Sequence, residues 1–221
     1  MARISIVGAG PGSEDYITPI ARKTVQDADV VVGADRALTL FADDIKHETM
    51  KLTAKTMKDA LRQAVDLAKK GKSVAILSTG DPGFSGLLKT FLKFNKGRDF
   101  EIVVIPGISS VQVCAARLGM PWDDTEFFTF HEGATAKEKE SLAKAVENGR
   151  TVILLPDANY FSPADVARFL MKRGVSEKTP TFVCENLTLS GERVVKSTLG
   201  EVAKAVFGSL CVMVIKPSLQ Q

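Results

Sequence analysis

The sequence predicts an α/β protein made of two α/β domains, and the order of apolar and amphipathic segments along its 221 residues carries that prediction. Through the first half, short apolar runs alternate with amphipathic stretches, the pattern of a parallel sheet with helical crossovers. We therefore expect an N-terminal domain with a mainly parallel sheet over residues 1–108. The alternation then loosens, which predicts a C-terminal domain with a mixed sheet over residues 109–221. An active-site cleft is expected between the two, because domain boundaries are favoured ligand sites.

Capping residues mark the helix boundaries, and short apolar runs mark the strands. Thr18-Pro19 and Ser162-Pro163 each pair an N-cap with a first-turn proline, and Gly71 is a helix stop signal. The turn Leu189-Ser190-Gly191 predicts a hairpin. Strands are predicted at 4–7, 29–33, 47–52, 74–77, 102–105, 127–131, 151–155, 181–185, 193–198 and 210–216, and helices at 19–26, 36–41, 56–70, 111–118, 136–147 and 164–173, with one more beginning near Phe84.

Composition and charge exclude several classes of protein. Hydrophobic residues make up 45% and charged residues 25% of the chain, as in globular proteins, and a net charge of +3 gives no argument for a nucleic-acid partner. No run approaches the roughly twenty apolar residues of a membrane span. The first residues already have the pattern of a strand and not of a signal peptide. These features predict a cytoplasmic protein with no membrane partner.

The few cysteines and histidines argue against a disulfide framework and against a metal site. The three cysteines are widely spaced, without a CxxC pair, and are expected to be small buried hydrophobic residues in a reducing compartment. Neither histidine stands at ligand spacing from a cysteine, so no metal centre is predicted. These residues are Cys114, Cys184, Cys211, His47 and His131.

A glycine-rich loop, Gly8-Ala9-Gly10-Pro11-Gly12, follows the first predicted strand. A dinucleotide fingerprint needs GxGxxG running directly into a helix, but Ser13 occupies the third glycine position. The next helix starts only at Pro19, so its N-terminal amides cannot reach a phosphate on the loop in the usual way. The loop is instead predicted to let a large ligand approach the backbone at the carboxyl edge of the sheet.

Two further polar loops follow predicted strands of the same sheet. Gly80-Asp81-Pro82-Gly83 places a carboxylate where open α/β sheets bind ligands, although the same residues also suit an ordinary strand-to-helix turn. Pro106-Gly107 leads to Ser109 and Ser110 at the start of a helix. Serine there can cap the helix, and it can equally give a hydrogen bond to a ligand.

These three loops, in this order, resemble the tetrapyrrole methylases, which transfer methyl groups from S-adenosylmethionine. The family's glycine-proline loop is matched by residues 8–12, its Gly-Asp-Pro loop by residues 80–82 and its Pro-Gly-x-Ser segment by residues 106–110. The resemblance covers essentially the whole chain and implies two α/β domains with the cofactor folded between them. It also implies a tetrapyrrole substrate, S-adenosylhomocysteine as product, and a homodimer.

The second half is most similar to the branch of this family that methylates carbon 5 of cobalt-precorrin-7 in cobalamin biosynthesis. The similar segments are Pro121–Asp124, Phe128–His131, Cys184–Leu187, Gly191–Arg193 and, earlier in the chain, Val32–Leu38. One departure is Glu132-Gly133 in place of Gly-Arg, which removes an arginine that this branch has there. Fused members add a carbon-15 methylase and decarboxylase, so this chain is expected to supply the carbon-5 activity and to pair functionally with a separate enzyme.

By resemblance, residues of all three loops and of the second domain would hold the cofactor. Asp81 and the backbone of Gly80 would bind it, and Phe84 would pack nearby. The other pocket residues would be Ala9, Ser109, Ser110, Leu155, Leu187 and Leu210. Core packing is the alternative for the three leucines, because apolar residues at strand ends are commonly buried.

The substrate implied by the resemblance carries many carboxylate arms, which arginine binds bidentately. Arg36, Arg117 and Arg193 are therefore candidate substrate ligands, although most arginines are solvated surface residues. Gly10–Gly12 would face the macrocycle.

His131 and Glu185 are the candidate catalytic residues, which would move a proton at the ring, and a structural histidine is the alternative for His131. Two other functions stay open. A methylase of the same family could act on another precorrin position or another substrate, as the diphthamide methylases do, but those should lack the similarity at Pro121-Trp122 and Glu185–Leu187. A non-catalytic module that binds a nucleotide or small acid would show no turnover with S-adenosylmethionine.

Overall fold

A computed structural model describes residues 3–95, 101–131 and 133–217 of the chain. It divides into two compact units, Met1–Ser109 and Ser110–Gln221. The sequence departure at Glu132 and the first two residues of the chain lie outside the described residues. Among the described residues, no helix combines the length and the apolar character needed to cross a bilayer.

The first unit is a five-stranded sheet flanked by helices. The strands follow the order β3-β2-β4-β1-β5, and every described pair is parallel, which confirms the predicted sheet type. The elements are β1 (Arg3–Gly8), α1 (Pro19–Gln26), β2 (Val30–Gly33), α2 (Asp35–Leu40), β3 (Glu48–Lys51), α3 (Met57–Lys69), β4 (Ser73–Ser78), α4 (Leu87–Phe94) and β5 (Glu101–Ile105).

Local signals account for the elements of this unit. Thr18 caps α1, because its hydroxyl accepts a hydrogen bond from the Ala21 backbone N–H at 3.3 Å and Pro19 occupies the first turn. One face of α3 is buried against the sheet, including Leu61 and Val65 at helical spacing. A short 3-10 helix, Glu14–Tyr16, was not predicted, and it fills the chain between the glycine loop and α1.

The prediction that a helix starts near Phe84 is wrong by three residues. The chain turns at Phe84, whose N–H donates to the Asp81 carbonyl, and Ser85 adopts a positive φ of 57°. Helix α4 begins at Leu87, whose N–H is capped by the Ser78 hydroxyl at 3.1 Å. The start of this helix is therefore set by a hydroxyl nine residues earlier in the chain. The helix propensities of the neighbouring residues do not indicate such a contact.

The second unit is a mixed five-stranded sheet in the order β6-β7-β10-β8-β9. Strands β6 and β7 are parallel, β10 is antiparallel to both β7 and β8, and β8 pairs antiparallel with β9 as the predicted hairpin. The elements are α5 (Ser110–Arg117), β6 (Thr125–Thr129), α6 (Ala136–Glu147), β7 (Thr151–Leu155), α7 (Pro163–Lys172), β8 (Pro180–Glu185), β9 (Arg193–Thr198), α8 (Leu199–Val202) and β10 (Cys211–Ile215).

Strand β6 lies two residues earlier than predicted. Its register pairs Thr129 with Leu155, the last residue of β7, so the neighbouring strand ends where β6 must end. Beyond it, the Gly133 N–H donates to the Phe130 carbonyl and turns the chain, which places His131 in a loop. The single turn α8 was also not predicted; Thr198 caps it.

Candidate active site

The three loops singled out in the sequence follow β1, β4 and β5, which are adjacent parallel strands with β1 in the middle. The carboxyl ends of parallel strands meet at one edge of a sheet, so the three loops lie side by side. We call this group, residues 8–12, 79–83 and 106–109, the carboxyl-edge loops. The strand order therefore brings together three loops that are spread over a hundred residues of the sequence.

The carboxyl-edge loops are joined backbone to backbone. Gly10 and Gly80 form an antiparallel bridge, with the Gly80 N–H donating to the Gly10 carbonyl at 2.8 Å. A Cβ atom on Gly8 would lie 2.4 Å from the Gly107 nitrogen, and one on Gly107 would lie 2.4 Å from the Gly80 carbonyl oxygen. No side chain fits at Gly8 or Gly107, so glycine there permits the loops to pack together.

Asp81 connects two of these loops through its carboxylate. One oxygen accepts the Gly83 N–H at 2.8 Å and shapes the turn, while the other accepts the Gly107 N–H at 3.1 Å. The predicted ligand-binding carboxylate therefore also positions the backbone of its own loop and of the third loop. Charge-assisted hydrogen bonds to backbone amides are among the stronger ones, so the arrangement is preorganised.

The backbone at Gly80 is less crowded than at Gly8 and Gly107. Its φ of 67° is one that side chains rarely adopt, and the nearest atom to a Cβ built on it, the Cα of Ser109, is 3.8 Å away. Space remains there, in contrast to the closed contacts at Gly8 and Gly107. This opening beside Asp81 fits the bound cofactor that the sequence implies.

The remaining predicted residues of the first unit lie in these loops or next to them. Ala9 is buried and its N–H donates to the Ser78 carbonyl, and Ser109 is also buried, whereas Phe84 is half-buried. Arg36, a predicted substrate ligand, donates to the Pro11 carbonyl at 3.2 Å and so supports the first loop.

In the second unit, strand register brings the predicted residues to one edge of the sheet. Leu155 ends β7, Leu187 follows β8 and Leu210 precedes β10, and these three strands are neighbours. Leu155 and Leu187 are buried, but Leu210 is 48% exposed. His131 follows β6 at the same edge, while Ser110 begins α5.

Glu185 is buried and both of its carboxylate oxygens are engaged. Oε2 accepts from Arg193 through Nε at 2.7 Å and through Nη2, and Oε1 accepts the Gly208 N–H at 2.6 Å. The Arg193 guanidinium also lies over the Phe207 ring, 6.0 Å from its centroid. The structure therefore pairs a predicted catalytic carboxylate with a predicted substrate ligand.

The Arg117 guanidinium also forms an ion pair within the protein, with the carboxylate of Glu192. Its Nε donates to Oε1 at 2.6 Å, and the Glu192 Oε2 accepts the Thr188 N–H at 2.7 Å. Glu192 was not singled out from the sequence as a site residue. Its partner is 75 residues away, and no short-range pattern indicates such a pair.

His131 is the predicted proton-transfer group without a strong charge partner in the described residues. Desolvation by its surroundings lowers the pKa of His131 from its ordinary value, and the carboxylate of Asp157 opposes that shift. The imidazole is therefore neutral at pH 7, which is the form that accepts a proton.

The cysteines are buried free thiols, as expected for small hydrophobic residues. The Sγ atoms of Cys114 and Cys184 lie 3.3 Å apart. This hydrogen bond and burial raise the pKa of Cys114, and burial raises the pKa of Cys211 to about 12. Nucleophilic or metal chemistry needs thiolates, so the raised pKa values make Cys114 and Cys211 poorly suited to it. The same hydrogen bond lowers the pKa of Cys184, which accepts it, while burial opposes that shift.

Comparison with known proteins agrees with this architecture. A model of the tetrapyrrole (corrin/porphyrin) methylases matches residues 3–203. A probable cobalt-precorrin-7 C(5)-methyltransferase of Methanocaldococcus jannaschii is 40% identical over 215 residues, covering 96% of both chains. The cobalt-precorrin-7 C(5)-methyltransferase of Salmonella typhimurium is 30% identical over 191 residues, covering 86% of this chain and 88% of that one.

A solved structure shows the same fold. Uroporphyrin-III C-methyl transferase from Thermus thermophilus, complexed with S-adenyl homocysteine, superposes with a TM-score of 0.79 at 21% identity, covering 97% of each chain. The chain belongs to the tetrapyrrole methylases, which confirms the family predicted from its loops.

Proposed function

We propose that this protein transfers the methyl group of S-adenosylmethionine to carbon 5 of cobalt-precorrin-7 in cobalamin biosynthesis. The observation that carries the proposal is the 40% identity, over nearly the whole of both chains, to the probable C(5)-methyltransferase of M. jannaschii. The second-half segments around Pro121-Trp122 and Glu185–Leu187 support the same branch of the family.

The opening at Gly80 and the preorganised Asp81 loop are where the chain would hold the cofactor. When bound, S-adenosylmethionine supplies a methyl group on a sulfonium that needs no further activation. The task of the protein is to orient the two reactants and to exclude water. Rigid, backbone-rich loops such as those joined at Gly8, Gly80 and Gly107 suit that task.

Carbon 5 of the bound macrocycle would be the methyl acceptor. A proton that leaves the ring needs a base that is free to accept it. His131 is neutral at pH 7, whereas the Glu185 carboxylate is held by three hydrogen bonds within the protein. We therefore assign the candidate base to His131 and a supporting role to Glu185.

Labelled S-adenosylmethionine, incubated with the purified protein and a panel of late corrinoid intermediates, tests the proposal. We expect label in the corrinoid only with cobalt-precorrin-7, on carbon 5. Label at another position or in another intermediate would indicate a different methylase of the family. Absence of turnover with bound S-adenosylhomocysteine would favour a non-catalytic binding module. A separate enzyme for methylation at carbon 15 and decarboxylation would act on the carbon-5 product.

Replacing Asp81 with alanine should weaken S-adenosylhomocysteine binding at least about tenfold, because a hydrogen bond to a charged group contributes ~1.5–3 kcal/mol. Two backbone donors, on Gly83 and Gly107, lose their acceptor and the loops lose their relative position. Calorimetry measures the affinity. Asp29→Ala is a matched control, because the Asp29 carboxylate accepts the Ser73 N–H at the opposite edge of the same sheet. Equal affinities in the two variants would refute the role of Asp81.

Gly12→Val should lower methyl transfer sharply while changing cofactor affinity less. Gly12 has a φ of 156°, and valine adds a branched side chain on the loop proposed to face the macrocycle. Single-turnover rates and S-adenosylhomocysteine titrations on one preparation separate the two effects. Gly71→Val, at a positive-φ turn with open space around it, controls for backbone strain. If the Gly12→Val protein binds the tetrapyrrole normally but no longer binds the cofactor, the assignment of this loop to the tetrapyrrole is wrong.

The family resemblance also supports a homodimer. We expect light scattering to give a mass twice the 23.8 kDa of the chain across the working concentration range. A mass near that of one chain throughout would rule the dimer out.

A further inference from the structure

The segment after β8 has an unusual backbone. Asn186 and Thr188 both adopt positive φ angles, 50° and 68°, on either side of the buried Leu187. A positive φ is an outlier for a β-branched residue such as threonine. Such conformations persist only where the surrounding structure holds them, and they cluster at functional sites. The groups that hold this segment are therefore of interest.

The Glu192 carboxylate is a side-chain restraint on the segment. Its Oε2 accepts the Thr188 N–H at 2.7 Å, and both of its oxygens accept from Arg117, at 2.6 Å and 3.4 Å. Other hydrogen bonds also hold the segment. They include the Asn186 N–H to the Leu210 carbonyl at 2.9 Å, the Leu189 N–H to the Asn186 carbonyl at 2.9 Å and the Asn186 side chain to the Gly191 carbonyl at 3.4 Å.

We propose that Glu192 is a positioning residue whose carboxylate, oriented by Arg117, holds the Asn186–Thr188 backbone so that Leu187 can contact the cofactor. The part that concerns the cofactor rests on the proposed function. The proposal also reassigns Arg117, which the sequence indicated as a ligand for substrate carboxylates. Its guanidinium acts on Glu192 instead.

The charge state of Glu192 is consistent with this role. The hydrogen bond from Arg117 and, after it, the Thr188 N–H lower the pKa of Glu192 below its ordinary value of 4.5. Because the pKa is lowered in the folded protein, the stabilisation is complete above that ordinary value and is lost as the pH falls through the lowered pKa. The carboxylate is thus ionised throughout the neutral range.

The test uses four variants of the full-length protein: Glu192→Ala, Glu192→Gln, Arg117→Met and the control Glu140→Ala. Glu140 pairs with Arg173 at 2.5 Å in the same unit but accepts no N–H from the Asn186–Thr188 segment in the described structure. For Glu192→Ala we expect Kd for S-adenosylhomocysteine and KM for S-adenosylmethionine to rise about tenfold, the loss of one hydrogen bond to a charged acceptor. KM for the tetrapyrrole and kcat should change much less.

Glu192→Gln should recover most of the affinity, because its amide oxygen still accepts the Thr188 N–H. Arg117→Met should move the cofactor constants in the same direction as Glu192→Ala and leave the tetrapyrrole KM unchanged. A tetrapyrrole KM raised in Arg117→Met alone would overturn the reassignment of Arg117. Cofactor affinity in Glu192→Ala equal to that in Glu140→Ala would overturn the positioning role.

Hydrogen exchange at the Thr188 amide, measured without any ligand, separates this inference from the proposed function. Exchange should accelerate in Glu192→Ala and stay at the wild-type rate in Glu140→Ala. If the variants show this exchange pattern but the wild type binds no S-adenosylhomocysteine, the proposed function and the cofactor part of the inference are both contradicted. If the wild type binds S-adenosylhomocysteine normally but Thr188 exchange is unaltered in Glu192→Ala, the inference alone is contradicted.

Discussion

Gly107→Ala should destabilise the first unit by about 3 kcal/mol, the upper end of the ~1–3 kcal/mol that overpacking a tight contact typically costs, and should remove measurable S-adenosylhomocysteine binding. The added Cβ would lie 2.4 Å from the Gly80 carbonyl oxygen and 2.7 Å from the Gly8 Cα. Both neighbours are backbone atoms, so no side-chain rotation relieves the overlap. The loops after β1, β4 and β5 would have to separate, and the Asp81 contact to the Gly107 N–H would be lost.

Thermal denaturation and calorimetric titration measure the two consequences of Gly107→Ala. A loss of this size corresponds to a fall in Tm of roughly 6–12 °C for a chain of this length. Gly71→Ala is the matched control, because Gly71 has a φ of 87° but nothing within 4 Å of an added Cβ. Its cost should be limited to backbone strain of about 1 kcal/mol, with cofactor affinity unchanged. A Gly107→Ala protein with wild-type Tm and affinity would show that the loops are not packed as described.

Glu185→Ala should lower stability by about 2 kcal/mol, because the buried Glu185 carboxylate is a charged acceptor and hydrogen bonds to charged groups contribute ~1.5–3 kcal/mol. The Gly208 N–H loses its acceptor and Arg193 loses the carboxylate that it contacts through two nitrogens. The Arg193 side chain is 57% exposed and can turn to water, so its loss adds little. We therefore expect a change in stability and not a selective loss of catalysis.

Glu185→Gln distinguishes a structural role from a catalytic one. The amide keeps the shape of the side chain and an oxygen for the Gly208 N–H, so its fall in Tm should be smaller than that of Glu185→Ala. Its kcat, measured at saturating S-adenosylmethionine and tetrapyrrole, should stay close to that of the wild type. If kcat instead collapsed while Tm was preserved, Glu185 would be a catalytic residue and our assignment of the base to His131 would be wrong.

Much of the fold was predictable because its signals are local. Thr18-Pro19 and Ser162-Pro163 cap helices through hydroxyls that accept N–H groups three residues on, and the predicted bounds of α1 and α6 agree with the structure. The start of α4 and the end of β6 were predicted less well. They depend on the Ser78 hydroxyl and on the register with Leu155, which are partners distant in sequence.

For the candidate site, the sequence by itself determined which loops matter and which family the chain resembles, because glycine, proline and aspartate in short ordered motifs impose turns wherever they occur. Only the tertiary structure decided what the charged residues do. Arg117, Arg193 and Glu185 have side chains suited to substrate binding or proton transfer, yet each has a partner from another part of the chain. Ionic partners are chosen by proximity in the folded protein, and Arg117 meets Glu192 across 75 residues. Residue type indicates what a side chain can bind, and strand order and register determine what it reaches.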